Sequence, residues 1–558
     1  MAREKKDELV FLPLGGLGEI GMNVALYGFG PEHRRKWIMV DCGMAFGNEE
    51  NLPGVEVIFP DLSFIEAQRE NLVAILITHA HEDHIGALAD LWPKLRVPVY
   101  VTPFAHGLLQ TRKLSEPGAP KIDFHIVQPG YQFEVGPFSV EYIPVAHSIP
   151  EANALAIRTD LGLVIHTGDW KIDADPYSGN VTSEETFRKL GDEGVLALIC
   201  DSTNVVRDGQ SPTETQVADH LAELIASAPY RVAVTTFASN VARIKAVADA
   251  AQRCGRKLLI VGRAIDRVKD VAEECGYLKG TDDYLTGESF DKLPRDKVVA
   301  LLTGSQGEPR AAMSRIAEKS HPNVKFAAGD RVIFSARAIP GNERSIGKII
   351  NALVRDGVEV ITDRQELVHV SGHPRRGELE QMYAWTRPRI AIPAHGEDLH
   401  LAEHSALARS LGVPEVVTAR NGQMVRLAPE KADIIDDVPA GRLYKDGLIV
   451  TDSKDKAVPE RRKLSFAGVV SIAIAIDGRG DLAGDPIVEV SGLPMTSRNG
   501  LNLDSVIEQA VDSVLSSLPK PRRRDPETVE DAVKRGVRAA VNNVWGKKPA
   551  CHVLVIEV

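Results

Sequence analysis

An apolar run that ends in a cluster of histidines and carboxylates is the feature that most constrains this chain. Residues 72–77 (LVAILI) predict a buried strand, and His79, His81, Asp83 and His84 follow it with the spacing H-x-H-x-D-H. A strand that ends in a loop holds its last side chains at a fixed place, and imidazole and carboxylate groups are suitable zinc ligands. The spacing therefore predicts a metal site at a strand end.

Three later residues occupy comparable positions. Each lies where the chain leaves a predicted strand: His147 in PVAHS, Asp169 in VIHTGDW and His395 in PAHGE. By itself each could equally be a structural residue. Together with the first cluster they complete a set of seven candidate ligands for a shared cleft.

The cysteines offer no competing metal site. They are scattered and form no C-x-x-C pair, so buried free thiols are the preferred interpretation. The five are Cys42, Cys200, Cys254, Cys275 and Cys551. Any metal in this chain must be held by histidine and carboxylate.

The charge balance bears on substrate and location. A net charge of −11 argues mildly against a polyanionic substrate, although local fields and bound cations count for more than the sum. Basic clusters occur at 461–463, 521–524 and 547–548, where a solvated surface is the simpler explanation.

The first ten residues lack a signal-peptide core, and the longest apolar run, 466–476, is too short to cross a bilayer. We expect a cytoplasmic protein without a membrane partner.

The rhythm of predicted elements divides the 558 residues into several domains. Short strands separated by glycine and proline fill the first 200 residues, whereas strands and helices alternate from about residue 213, which predicts an inserted parallel sheet. We predict a host domain in two parts, an inserted domain, a polar linker and a small α+β domain. Their ranges are 1–205 and 367–450 (host), 206–366 (insert), 451–465 (linker) and 466–558 (α+β domain).

Individual elements follow from the same patterns. Strands are predicted at 37–40, 72–78, 97–101, 139–143, 163–166, 231–235, 257–261, 298–302, 466–476, 486–490 and 552–558. Helices are predicted at 84–91, 215–227, 240–253, 503–518 and 526–545.

The seven candidate ligands and their flanking segments resemble the metallo-β-lactamase superfamily. Three further segments are similar to the additional motifs of its nucleic-acid-processing β-CASP branch: DSTN at 201–204, HVSGH at 369–373 and PAHG at 393–396. Four other stretches are similar to the ribonuclease J family: 13–21, 237–240, 303–309 and 339–343. The resemblance implies an α/β fold, namely a metallo-β-lactamase αββα sandwich with an inserted β-CASP parallel-sheet domain and a small α+β C-terminal domain.

The resemblance also implies a ligand assignment with two Zn²⁺ per subunit, for which Mn²⁺ or Mg²⁺ would substitute in vitro. One zinc would be held by His79, His81, His147 and Asp169, and the other by Asp83, His84, Asp169 and His395. A bridging carboxylate suits two metals that activate one water between them.

Further residues are implied for catalysis and substrate binding. His373 is the candidate general acid, with Asp201 as the carboxylate that orients it, and Asp83 is counted with them as catalytic. His369, Val370, Ser371, Gly372 and His373 would contact a backbone phosphate. Ser239, Asn240 and Arg263 would line a pocket for a 5′-monophosphate, although Ala264 stands where the family pattern has a hydroxyl residue.

Two segments near the motifs have a supporting role. Asp41 is expected to orient a ligand histidine, and the glycine-rich segment 15–18 is expected to form a tight turn beneath the cleft, because it lacks the context of a phosphate loop. Four other histidines are expected to be structural or to lie outside the ligand set: His106, His166, His400 and His404.

The function implied is that of a zinc-dependent ribonuclease with 5′-to-3′ exonuclease activity, preferring a 5′-monophosphate, and with endonuclease activity. It would act in RNA maturation, including rRNA, and in mRNA decay, as a homodimer or homotetramer assembled through its C-terminal domain. Two alternatives stay open: a small-molecule hydrolase of the same fold, and a nonhydrolytic RNA-binding scaffold.

Overall fold

A computed structural model describes residues 6–47, 51–111, 114–281 and 284–558. The first five residues, which belong to the N-terminal segment predicted to lack a signal peptide, lie outside this part. The chain divides into two compact units, Met1–Ala45 with Phe59–Arg442, and Phe46–Ile58 with Leu443–Val558. The domain boundaries predicted above stay predictions.

The first unit contains a mixed sheet of eight strands. The first five strands in the order below pair antiparallel, and the remaining pairs are parallel. The order is Asp433–Asp437, Gln423–Ala428, Glu8–Gly15, Val24–Gly30, Lys36–Val40, Leu72–Leu76, Val99–Val101 and Phe124–Ile126.

A second sheet of seven strands faces the first. Its first four strands are antiparallel and its last four are parallel. The order is Gln132–Val135, Phe138–Pro144, Asn153–Thr159, Gly162–His166, Val195–Asp201, Ile390–Ala394 and Glu415–Val416.

The core between the two sheets consists of side chains that alternate along their strands. Phe11 and Tyr27 of the first sheet pack with Tyr142 and Ile157 of the second, and all four are fully buried. Burial of each such side chain contributes about 1.5–3 kcal/mol. The sandwich is therefore held by apolar packing, and the metal-ligand candidates stand at its rim, on strand ends.

Helices cover the outer faces of the sandwich. They are Ser63–Glu66, Arg69–Asn71 (3-10), Glu82–Ile85, Leu88–Leu95, Pro103–Thr111, Glu184–Glu193, Arg376–Thr386 and Asp398–Ser410. A two-stranded parallel pair joins Leu17–Gly18 to Gly396–Glu397. The predicted αββα sandwich is confirmed.

The predicted inserted sheet is also confirmed, as six parallel strands. Its central strands, such as Val232–Thr235, are buried along their whole length, which explains their uninterrupted apolar sequence. The order is Leu285–Thr286, Lys257–Val261, Val298–Leu302, Val232–Thr235, Arg331–Phe334 and Glu359–Thr362. Its helices are Glu214–Ser227, Val241–Arg253, Arg263–Glu274, Ala312–Ala317 and Glu343–Arg355, with 3-10 turns at Gly287–Ser289 and Arg295–Lys297.

The second unit contains two small sheets. Three strands, in the order Ile487–Ser491, Val469–Ile476 and Ala550–Glu557, pack against helices Leu503–Ser517 and Pro526–Trp545. Short helices lie at Ala457–Ala467 and Lys520–Arg523. A further sheet, most of whose residues belong to this unit, joins Ala45–Phe46, Val57–Pro60, Arg442–Asp446 and Ile449–Asp452.

Residues 451–465, predicted to form a linker, contain regular secondary structure. Residues 451 and 452 end a strand, and most of the remainder lies in helix Ala457–Ala467. Pro459 sits in the first turn of this helix, where the missing N–H has no intrahelical partner to lose. Phe466 belongs to the same helix, so the predicted strand 466–476 begins only at Val469.

The predicted helix 84–91 is also wrong in its bounds. The chain forms two shorter helices, Glu82–Ile85 and Leu88–Leu95. At Gly86, between them, a Cβ would stand 2.4 Å from the carbonyl oxygen of Glu82.

Within the described residues, no helix has the length and apolar character that crossing a bilayer requires.

Candidate metal centre

The seven predicted ligands come together at one rim of the sandwich. Strand Leu72–Leu76 delivers His79 and His81, and the short helix Glu82–Ile85 presents Asp83 and His84. His395 follows strand Ile390–Ala394 with a left-handed backbone, φ 50°. Such a conformation is costly for a residue with a Cβ and is typical of functional sites.

The first group of ligands surrounds a point beside His81. The Nδ1 atom of His81 lies 3.1 Å from Nε2 of His79 and 3.0 Å from Nε2 of His147. Oδ2 of Asp169 lies 3.7 Å from the His79 nitrogen and 3.6 Å from the His147 nitrogen. Three imidazoles and one carboxylate thus point toward a common position. The short contacts between ring nitrogens are not a set of ordinary hydrogen bonds, because both contacts share the single Nδ1 atom of His81.

The second group surrounds the other oxygen of Asp169. Nε2 of His84 lies 3.2 Å from Oδ1 of Asp169 and 3.7 Å from Oδ2 of Asp83. Nε2 of His395 lies 3.2 Å from the same Asp83 oxygen, across 312 residues of sequence. Asp169 therefore presents one oxygen to each group.

The donor set fits two zinc ions. Tetrahedral zinc with ligands at about 2.0–2.1 Å places neighbouring donor atoms about 3.3 Å apart. The separations within both groups, 3.0–3.7 Å, lie around that value. Oδ1 of Asp169 is also buried, and its 3.2 Å contact with His84 Nε2 lacks hydrogen-bond geometry, as expected for an oxygen that a cation would satisfy.

Four of the ligand imidazoles have an outer hydrogen-bond partner on their second nitrogen. Such partners fix the tautomer and the ring orientation of a metal ligand. The pairs are His79 with Thr78 Oγ1 (3.0 Å), His84 with Asp41 Oδ2 (2.7 Å), His147 with the Gly372 carbonyl (2.7 Å) and His395 with Thr203 Oγ1 (3.0 Å). Asp41 thus contacts a ligand histidine as predicted. Thr78, Thr203 and Gly372 were not predicted from the sequence to be partners of ligand histidines.

The electrostatic environment separates the ligands into two kinds. Burial, together with neighbouring imidazoles, lowers the pKa of His79 and His147, and it lowers the pKa of His81 to about 4. Burial acts the same way on His84 and His395, but the carboxylates around each of them, with Asp169 the largest contributor, together outweigh it and raise the pKa of both. A raised pKa favours the protonated imidazole, which must lose its proton before it can bind a metal.

His373 and Asp201 lie next to the centre as a hydrogen-bonded pair. Nδ1 of His373 donates to Oδ2 of Asp201 over 2.7 Å, and the His373 ring stacks on His395 at 5.3 Å between ring centres. Although burial opposes it, the carboxylates of Asp201 and Asp169 raise the pKa of His373. Asn204 holds the segment, because its Nδ2 donates to the His373 carbonyl at 3.2 Å.

The other residues predicted to contact a backbone phosphate have mixed surroundings. Val370 is buried in the core, and Ser371 Oγ accepts from Asn204 at 2.8 Å. The Gly372 carbonyl is occupied by His147, whereas Nδ1 of His369 is buried and has no partner among the described residues. His369 thus retains a free polar atom, and the phosphate contacts stay predictions.

The predicted 5′-phosphate residues are only partly brought together. Arg263 lines a cavity of about 380 Å³ at the carboxyl ends of the inserted strands. Ser239 and Asn240 do not line it, and Asn240 instead caps helix Val241–Arg253 by accepting from the Arg243 N–H. Other lining residues were missed, among them Thr236, Arg267, Thr303 and Arg310. Thr303 begins a segment that carried the family resemblance.

The remaining predictions near the motifs concern the glycine-rich segment and four histidines. Gly16, with φ 87°, approaches Asn23, whose Nδ2 lies 3.0 Å from His84 Nε2. The segment therefore turns tightly against the centre. His106, His166, His400 and His404 belong to none of the described ligand groups; His166 instead contacts the Tyr27 hydroxyl at 2.8 Å.

Four family models match the chain. They are described as metallo-beta-lactamase superfamily (residues 23–194), ribonuclease J beta-CASP domain (229–353), Zn-dependent metallo-hydrolase RNA specificity domain (357–418) and ribonuclease J C-terminal domain (456–558).

Full-length relatives and a solved structure give the same picture. Ribonuclease J of Sinorhizobium meliloti is 52% identical and covers 99% of this chain and 98% of its own, and that of Mycolicibacterium smegmatis is 40% identical, covering 98% and 96%. A crystal structure of a protein of unknown function from Enterococcus faecalis is 15% identical with a TM-score of 0.52, covers 75% of this chain and 100% of its own, and supports the fold alone. The chain therefore belongs to the ribonuclease J family.

Proposed function

We propose that this member of a hydrolytic RNA nuclease family cuts phosphodiester bonds with two Zn²⁺ per subunit, both stepwise from a 5′-monophosphate end and internally. The observation that carries the proposal is the position of Asp169, whose two oxygens face two separate ligand groups. A nuclease that uses one metal would have no need for a carboxylate shared in this way.

His79, His81, His147 and Asp169 would hold one ion, and Asp83, His84, Asp169 and His395 the other. Imidazole-rich donors favour zinc over magnesium or calcium, whereas Mn²⁺ or Mg²⁺ would act as weaker substitutes in vitro. Two such ions, when bound, lower the pKa of a water and place positive charge beside the scissile phosphate.

The chain itself would supply the proton that the leaving 3′-oxygen needs. His373 holds that proton, because Asp201 accepts from Nδ1 and leaves Nε2 for the leaving group. Asp83 belongs to the same catalytic group, because its carboxylate meets both His84 and His395. His369, with its unpartnered nitrogen, would donate to or accept from the RNA backbone beside it.

A 5′-monophosphate would be recognised in the cavity that Arg263 lines. Arg267 and Arg310 line the same space, and the Thr303 hydroxyl, which accepts from the Ala312 N–H, has its own hydrogen left to donate. Guanidinium groups bind phosphate in a bidentate manner. Ser239 and Asn240 would contribute only by shaping the loop next to it.

One experiment separates this proposal from the alternatives. Purified protein is incubated with RNA carrying a 5′-monophosphate, 5′-triphosphate or 5′-hydroxyl, and product ends are mapped with and without chelator. We expect mononucleotides mainly from the monophosphate RNA, some internal cuts, and loss of both on chelation. Metal-independent cleavage would refute the two-metal mechanism, and RNA binding without cleavage would favour a scaffold.

The cellular setting and the assembly form a separate part of the proposal. We infer action in the cytoplasm on rRNA maturation and mRNA decay, as a homodimer or homotetramer joined through the C-terminal region. Its three-stranded sheet leaves Ile487, Leu554 and Ile556 more than half exposed on one face, which favours self-association. Leu554→Asp should reduce the mass measured by light scattering, whereas Ser505→Asp on a neighbouring helix should not.

A further inference from the structure

A fully buried carboxylate is hydrogen-bonded to the segment that follows His373. Glu378 lies in the first turn of helix Arg376–Thr386, and its side chain has no exposed surface. Within the described residues it forms no ion pair. A buried carboxylate without a cation beside it is strongly unfavourable unless hydrogen bonds replace its hydration. The neighbours of Glu378 must therefore supply those bonds.

Four donors from three separate stretches of the chain bind the two oxygens of Glu378. The Ile172 N–H donates to Oε1 at 2.8 Å. Oε2 accepts from the Arg375 N–H at 2.9 Å. It also accepts from Ser211, whose N–H lies at 3.0 Å and whose hydroxyl lies at 2.9 Å. Hydrogen bonds to an ionised acceptor are about twice as strong as neutral ones. One side chain thus holds three stretches that are distant in sequence.

Each of these three stretches follows a residue of the proposed reaction. The pairs are Asp169 before Ile172, Asp201 before Ser211, and His373 before Arg375. Glu378 binds the backbone of all three stretches, so it acts on the position of the residues that precede them. The bridging carboxylate, the proton donor and the carboxylate that orients the donor are therefore connected through one buried group.

A helix cap accounts for only part of this arrangement. Glu378 is the third residue of its helix, where a carboxylate commonly accepts from the N–H before the first turn and suits the helix dipole. That explains the bond to Arg375. Ile172 and Ser211 lie outside the helix, so their bonds serve another purpose. Glu380 of the same helix is exposed and provides a matched comparison.

We propose that Glu378 is a positioning residue that sets the place of His373 relative to Asp169 and so aligns the proton donor with the scissile bond. The inference rests on the proposed function, in which His373 is the general acid. Glu378→Gln replaces one oxygen by an amide nitrogen that can only donate, so at least one N–H donor meets another donor. The stretches then shift relative to each other, and a displacement of about 1 Å is enough to slow the proton transfer.

The test compares two RNA oligonucleotides that differ only in the leaving atom. Both carry a 5′-monophosphate and 2′-deoxyribose at the first nucleotide, and their first linkage has a 3′-oxygen in one and a 3′-sulfur in the other. A thiolate leaves without being protonated, because thiols titrate at about pH 8.5, far below alcohols. A misplaced general acid should therefore slow the oxygen substrate selectively.

The full-length, zinc-loaded protein and its variants are compared on both substrates. For Glu378→Gln we expect kcat on the oxygen substrate to fall roughly 10- to 100-fold, with KM and zinc content unchanged. The sulfur substrate should lose about twofold or less. His373→Ala should show the same selectivity with a larger loss, whereas Glu380→Gln should match the wild-type protein on both substrates.

Equal losses on the two substrates, a loss of zinc, or no loss at all in Glu378→Gln would overturn the positioning role. Ser211→Ala removes one of the four donors and should cause a smaller loss confined to the oxygen substrate, which gives the same decision if Glu378→Gln does not fold. If His373→Ala is equally slow on both substrates, the general-acid assignment fails and the role of Glu378 with it. If the wild-type protein cuts neither substrate nor unmodified RNA, the ribonuclease proposal itself fails.

Discussion

The metal centre and the arginine-lined surfaces of the first unit differ in how far the protein satisfies its own polar groups. Four of the ligand imidazoles at the centre have an outer partner within 3.0 Å. Arg207 and Arg263, in contrast, have no side-chain partner within the described residues. The centre is organised before any substrate arrives, whereas these side chains are free to pair with an external anion. Changes at the centre should therefore affect chemistry and metal content, and changes at the arginines should affect RNA affinity.

Loss of a ligand should have the largest effect. His81→Ala removes the nitrogen that meets both His79 and His147, so one ion loses a donor. We expect RNA hydrolysis to fall by about four orders of magnitude, because the metals supply several kcal/mol of catalysis. Activity and zinc content are measured together, with the exposed His33→Ala as control. Full activity with reduced zinc would show that RNA hydrolysis does not depend on the metal centre.

Loss of the general acid should come next and should spare the metals. His373→Ala is expected to reduce kcat on the order of 10³-fold while zinc content stays at the wild-type level. If His373→Ala loses activity but keeps its zinc, whereas His81→Ala loses both, the general acid is distinguished from the metal ligands. A large drop in zinc would instead make His373 a part of the metal site.

The pH profile tests the partner of that acid. His373 must be protonated to act, so activity should fall as the pH rises through its pKa, which the carboxylates of Asp201 and Asp169 raise above the ordinary value. Asp201→Asn removes one of those carboxylates, so the alkaline limb should move to lower pH. An unmoved alkaline limb with unchanged zinc would exclude the pair as the proton donor.

Disruption of an outer partner should have a smaller effect. Asp41→Asn weakens the contact with His84 Nδ1 and should lower metal affinity roughly 10- to 100-fold. Zinc competition with a chelator measures this, and the exposed Asp160→Asn serves as control. Equal affinities in the two variants would mean that the centre does not depend on its outer contacts.

The smallest effect is expected at the cavity of the inserted domain. Arg263→Gln should reduce the preference for 5′-monophosphate over 5′-hydroxyl RNA about tenfold, because one charged hydrogen-bonding group is lost. Competition between the two RNAs gives the preference directly, with Arg355→Gln as the matched charge change. A lower rate with an unchanged preference would assign Arg263 to general RNA binding.

The same two regions differ in what the sequence alone can predict. His79, His81, Asp83 and His84 lie within six residues after an apolar strand, so local spacing is enough to predict ligands. Strand ends also point to His147, Asp169 and His395, because strands that run in the same direction within one sheet end at a common edge. The family resemblance supplied their division between two ions.

The arginines and their partners escaped prediction for a physical reason. Arg207 and Arg375 lie far apart in sequence, and the β-bridge between Asn204 and Arg375 brings their backbone segments together. Asn240 shows the converse, because a side chain chosen as a phosphate donor is used as a helix cap. Composition and spacing do not distinguish these uses.

Anomalous diffraction at the zinc edge, on crystals of protein that hydrolyses RNA, tests the central claim most directly. The two-metal assignment predicts two peaks roughly 3.5–4 Å apart. They should lie on either side of Asp169, one beside His81 and the other beside His84. A single peak in active protein, or peaks remote from Asp169, would contradict it.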